Sequence, residues 1–180
     1  MIIAREKRKN NIAEYVLYMW QLEDLLRSYN FNFEVVKQKI IDGFKADELT
    51  SSEISKWYLG LIQMMEIEGI KESGHSQMLK NTINDLNEVH NKLLNKDEEE
   101  GYKQIFLLAK QNIELFRLKS NNINGNDIEI CLNALYSLIL LRLSGKEVSI
   151  ATNESMNSFS KLLAALSLKY KQWEEGLLEL

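Results

Sequence analysis

Apolar residues recur along most of this chain at the three- and four-residue spacing of an amphipathic helix, and no stretch alternates as a strand would. The first periodic segment runs from about Ala4 to Tyr29, with Ile12, Tyr15, Val16, Met19, Leu22 and Leu26 on one side, until Asn30 and Asn32 break it. A short second segment, Phe33 to Gly43, turns Val36 and Ile40 inward. Thr50 and Glu53 form a capping-box pattern, so a third helix is expected from Ser51 to Ser73-Gly74. The fourth covers His75 to Leu94. The fifth follows Asn95-Lys96-Asp97 and ends near Lys119, with Glu98, Glu99 and Glu100 in its first turn, where carboxylates favour the helix dipole. A polar loop spans Asn121 to Gly125. Asn126 and Glu129 then cap a sixth segment that ends at Ser144, with Gly145 placed as its C-terminal cap. A seventh runs from Glu154 to Glu179. The pattern predicts an all-α protein: one domain, residues 1–180, folded as a compact bundle of about seven helices. The short loops make sequence neighbours mostly antiparallel.

Segments one and six are apolar nearly all the way round. In segment six, Ile130, Ala134 and Leu141 add a second apolar side to Ile128, Leu135, Leu138 and Ile139. Such helices belong in the middle of a bundle. Segment five shares this character more weakly, through Leu107, Leu108, Leu115 and Leu118. Trp57, Leu59 and Gly60 fall one residue short of the tetratricopeptide spacing and no second copy follows, which argues against a solenoid.

Composition agrees with the helical pattern. The 180 residues contain no proline, where average usage would supply about nine. Apolar residues make up 45% and charged residues 27%, as in an ordinary globular chain. A single cysteine, Cys131, excludes an internal disulfide and a cysteine-based zinc cage, and reads as a small core residue. The net charge of −4 argues against nucleic acid as the main partner. Arg5, Lys7, Arg8 and Lys9 form one local basic run, which as a second possibility suits RNA, an acidic partner or a membrane surface and otherwise is a solvated helix start. The longest apolar run, Ala134 to Leu143, is too short to span a bilayer, so no membrane partner and a cytoplasmic location are expected.

The most informative positions are polar residues inside apolar stripes. Glu23 falls among Ile12, Val16, Met19 and Leu26, Arg142 among Cys131, Leu135, Leu138 and Ile139, and His90 among Leu79, Ile83, Leu86 and Leu94. Buried charge is costly unless paired and hydrogen-bonded. Glu23 and Arg142 are therefore expected to meet, either as a packing clamp or as a ligand-binding pocket that His90 could join. In such a pocket Arg142 would hold an anion and Glu23 would act as acid or base. The simpler alternatives pair Glu23 with Arg27 one turn on and let Arg142 reach solvent past a helix end.

Other chemistry is thin. Glu72 and His75 make one Glu-x-x-His, but a di-iron bundle needs two, and Ser73-Gly74 interrupts this one. No metal site, cofactor or catalytic residue is expected. Tyr15, Tyr18, Trp20 and Tyr29 could line a ligand pocket or simply fill the core. Ser160 and Ser167 read as small residues that permit close helix contact.

The opening stretch Ala4 to Arg27, especially Arg5-Glu6-Lys7-Arg8 and Tyr18-Met19-Trp20-Gln21-Leu22-Glu23-Asp24, resembles an uncharacterised bacterial family of Bacteroidetes type, a domain of unknown function. The resemblance extends over nearly the whole chain. It implies a compact, all-helical, cytoplasmic protein of about this length and assigns no role to any residue. Three functions are open: a non-catalytic helical interaction or scaffold protein, pairing with itself as a homodimer or with another protein; a small-molecule binder or enzyme around Glu23, Arg142 and His90; and an accessory RNA factor.

Overall fold

The computed structural model describes residues 2–120 and 124–180; 121–123, part of the expected polar loop, lie outside the described residues. The described chain is all-α, with eight α-helices and no strand. They are α1 (Ile2–Asn10), α2 (Ile12–Ser28), α3 (Phe33–Val36), α4 (Glu48–Ile67), α5 (Gln77–Asn95), α6 (Glu100–Lys119), α7 (Asp127–Leu143) and α8 (Ile150–Glu174).

The expected first helix is two. Asn11 leaves helical geometry at φ −155°, and its side chain caps α2 by accepting from the Glu14 N–H at 3.1 Å. The chain doubles back there. Lys7 reaches Glu14 at 3.2 Å and lies 5.8 Å from the Tyr18 ring centre. In one unbroken helix Lys7 and Tyr18 would stand about 16 Å apart along the axis. The sequence hides this break, because Arg5 to Asn10 is a charged run with no apolar period of its own and a single capping residue leaves no mark on the pattern that follows.

Caps account for the other shifted boundaries. The third helix starts at Glu48 and not near Ser51, because Asp47 is its cap and accepts from the Thr50 N–H at 3.0 Å. It ends at Ile67, ahead of Gly69 at φ +68°, which leaves residues 68–76 as a connecting segment. The short second segment is a single α-turn, α3, followed by a π-helical turn at Lys37–Ile41 and a 3-10 turn at Asp42–Phe44. Ser149 caps α8 by accepting from the Thr152 N–H, so that helix starts ahead of Glu154. Two expected caps are as read from sequence: Asn126 accepts from the Glu129 N–H, and Gly145 takes φ +68° just past α7.

Buried side chains from every helix join one apolar core. The long α8 packs against α2, α5, α6 and α7, and α7 touches α2, α5, α6 and α8. As expected, α7 is buried on more than one side, through Ile128, Ile130, Cys131, Leu132, Ala134 and Leu138, but Leu141, expected on the second apolar side, is exposed near the helix end. Helix α6 differs from the expectation. It buries Tyr102, Phe106, Ala109 and Ile113, while Leu107, Leu108, Leu115 and Leu118 face outward at 57, 75, 45 and 66% exposure. No helix among the described residues is long and apolar enough to cross a membrane.

Candidate functional site

Glu23 lies on the inward face of α2 and is fully buried, as its place among apolar neighbours requires. Its partner is His75 and not Arg142. Glu23 Oε2 is 2.7 Å from His75 Nδ1, and Oε1 accepts from the Ser76 N–H at 3.0 Å. The imidazole stacks on Trp20, with ring centres 4.3 Å apart and planes 16° from parallel. The neighbouring Asp24 accepts from Arg27 at 2.7 Å and from the Tyr136 hydroxyl on α7. Burial first, and then the Asp24 carboxylate, push the Tyr136 phenol well above its ordinary pKa. Arg27 also donates to the carbonyls of Ile70 and Gly74. One further carboxylate, Glu68, accepts from the Gln77 N–H at 2.7 Å and serves the first turn of α5, where Ser76 makes no side-chain cap. One turn of α2 thus ties the 68–76 segment to the bundle with side chains that satisfy the backbone groups of an irregular connection.

The separation of Glu23 from Arg142 follows from register. On α7, Tyr136 is the residue opposite Asp24. Arg142 is six residues further on, about 9 Å along the axis. It is exposed in the last turn of α7 and donates to Asn153 at 3.3 Å, so it reaches solvent past the helix end. Arg27 pairs with Asp24, which leaves Glu23 to His75. His90 is buried between α5 and α6. Its Nδ1 is 2.6 Å from the Tyr102 hydroxyl, and its ring meets Phe106 edge-on at 4.8 Å. Burial pulls its pKa down to about 4, against a smaller opposing effect of Asp127. The structure therefore does not bring Glu23, Arg142 and His90 together.

His75 is the residue that sequence reasoning missed. It has no apolar stripe of its own, because it belongs to the connection and not to a helix. The only available signal was stoichiometric: a buried Glu23 needed a partner, and the chain has two histidines. The Glu72–His75 pair is not one helical turn, since both residues lie in the 68–76 segment. Among the described residues no three His, Cys, Asp or Glu side chains gather as a metal site would require. Cys131 is fully buried, and burial pushes its thiol well above the ordinary range. Ser167 is buried and its Oγ accepts from the Ala13 N–H, whereas Ser160 is exposed.

A carboxylate that orients an imidazole is half of an acid–base pair, but chemistry also needs a substrate-sized space beside it. Neither Glu23 nor His75 lines the cleft among α1, α2 and α4 or the hollow among α6, α7 and α8. Trp20 Nε1 and Ser76 Oγ, both buried beside the pair, have no hydrogen-bond partner among the described residues. The contacts tie His75 and the Ser76 N–H of the 68–76 segment to Glu23 of α2. Within the basic N-terminal run, Lys7 is engaged by Glu14, and Arg8 by Glu174 at 3.5 Å and the Tyr15 ring at 5.8 Å.

Neither curated proteins nor solved structures give a match. Residues 1–176 match the family described as a domain of unknown function (DUF4924), and with nearly the whole chain covered the protein belongs to that family.

Proposed function

We propose that this protein is a non-catalytic helical interaction protein that pairs with a second copy of itself through the outer face of α6. One observation carries the reading: four exposed leucines, Leu107, Leu108, Leu115 and Leu118, share about 100° of that helix, opposite its buried stripe. Leu108 and Leu115 are seven residues apart, the repeat by which two helices pack along a common seam. Leu115 also borders a hollow of about 560 Å³ among α6, α7 and α8, whose wall includes Leu141. Leucines gathered on one helix face form the kind of contiguous apolar patch that marks an interaction site. The same apolar character, and the absence of an identified catalytic constellation in the sequence, favour this reading over an enzyme. A cytoplasmic location belongs to the same proposal.

Sedimentation tests it. A dimer is expected at micromolar protein, and Leu108→Glu with Leu115→Glu should leave a monomer with its helical circular dichroism intact. A wild-type monomer at every accessible concentration would overturn it.

A further inference from the structure

The other side of the molecule carries a second feature, independent of α6. Helices α1, α2 and α4, with Met78 at the start of α5, line an open cleft of about 490 Å³, within the range of small-ligand sites. Its floor is apolar: Met19, Trp57, Leu61, Met64 and Met78. Three of the chain's six methionines thus converge on one cleft, and methionine makes a soft, adaptable wall. The charged residues that line it are Arg5, Arg8 and Lys56, all cations, in a chain of net charge −4. Arg8 is held by Glu174, but Arg5 and Lys56 have no hydrogen bond or ion pair among the described residues.

Gly60 points to use of this space. It sits in the middle of α4, where glycine weakens a helix. No left-handed backbone calls for it, and a Cβ there would meet nothing within 4 Å. Neither conformation nor close packing explains the glycine. It lies on the cleft wall, where the lack of a side chain leaves the space beside it open.

From these observations we infer that the α1–α2–α4 cleft binds a single-tailed amphipathic anion: the tail lies on the methionine and tryptophan floor, and the carboxylate or similar head meets Arg5, Arg8 and Lys56. Charge-assisted contacts select the head, and flexible thioethers accommodate tails of varying shape.

Decanoate, decanol and decyltrimethylammonium, each below its micelle concentration, are the probes. Calorimetry gives affinity, and the spectrum of 13C-methyl-methionine protein gives location. Decanoate should shift the Met19, Met64 and Met78 methyls and leave Met156 of α8 in place. Decanol should bind about tenfold more weakly, as should decanoate to the Arg5→Gln, Lys56→Gln double variant, the size expected when a charge-assisted contact is lost. The cation should not bind. Gly60→Leu, which replaces the glycine by a good helix former, should keep its helicity and lose binding. The inference is overturned if decanoate does not bind, if decanol binds equally well, if the shifts fall on other methyls, or if Gly60→Leu binds unchanged.

Discussion

Two stretches on the inner side of α2 meet opposite environments. At Glu23–Arg27 the polar side chains have partners: Glu23 has His75 and the Ser76 N–H, Asp24 has Arg27 and Tyr136, and Arg27 spans two carbonyls. One to two turns earlier, Tyr15 and Met19 border a cleft whose cations Arg5 and Lys56 have no partner among the described residues. The difference teaches that a polar residue in an apolar stripe is not by itself a mark of function. At the clamp, polarity serves an irregular connection that carries its own unsatisfied backbone groups. At the cleft, Arg5 and Lys56 are exposed and serve no backbone group, and the proposed anion is what would engage them.

Glu23→Ala should have the largest effect. It strips His75 of its buried partner and leaves the Ser76 N–H unsatisfied, at a cost of about 3–4 kcal/mol. Thermal unfolding should show a loss of roughly 6–16 °C for a chain of this length. A loss within about 2 °C would mean that the clamp does not hold the fold.

Acid provides the next test, and it separates the clamp from the core. His90 has a folded-state pKa near 4 against an ordinary 6.5, because burial penalises its charged form. The unfolded chain takes up this proton as pH falls below 6.5, while the native chain resists until about 4. The contribution of neutral His90 is thus complete above pH 6.5, is lost progressively down to about 4, and changes no further below that. The total is up to about 3 kcal/mol. Urea unfolding at stepped pH should show this slope in the wild type and in Glu23→Gln, and a flatter one in His90→Phe. An equal slope in His90→Phe would place the acid sensitivity elsewhere.

The smallest effect has the opposite sign. Gly60→Ala should raise stability by up to about 1 kcal/mol, or about 2–4 °C in Tm, because nothing at that position needs a glycine for folding. If the variant is destabilised, Gly60 serves packing, and the contrast between the two stretches is lost.

The sequence alone determined the helical class, most of the helical segments, and several caps that act within a few residues, such as Asn126 with Glu129 and Gly145 after α7. These depend on local periodicity and local hydrogen bonds, which the order of residues contains. It also marked Glu23 as buried. The partner of Glu23 was set by how the helices pack. His75 is 52 residues away in an irregular segment, and the register that sets Tyr136 against Asp24 carries Arg142 past α2 to solvent. The packing also decided which apolar side of α6 faces the core. Tyr102, Phe106, Ala109 and Ile113 form one stripe and the four leucines another. Periodicity tells which residues share a face, but the choice between two apolar faces rests with the helices that pack against them.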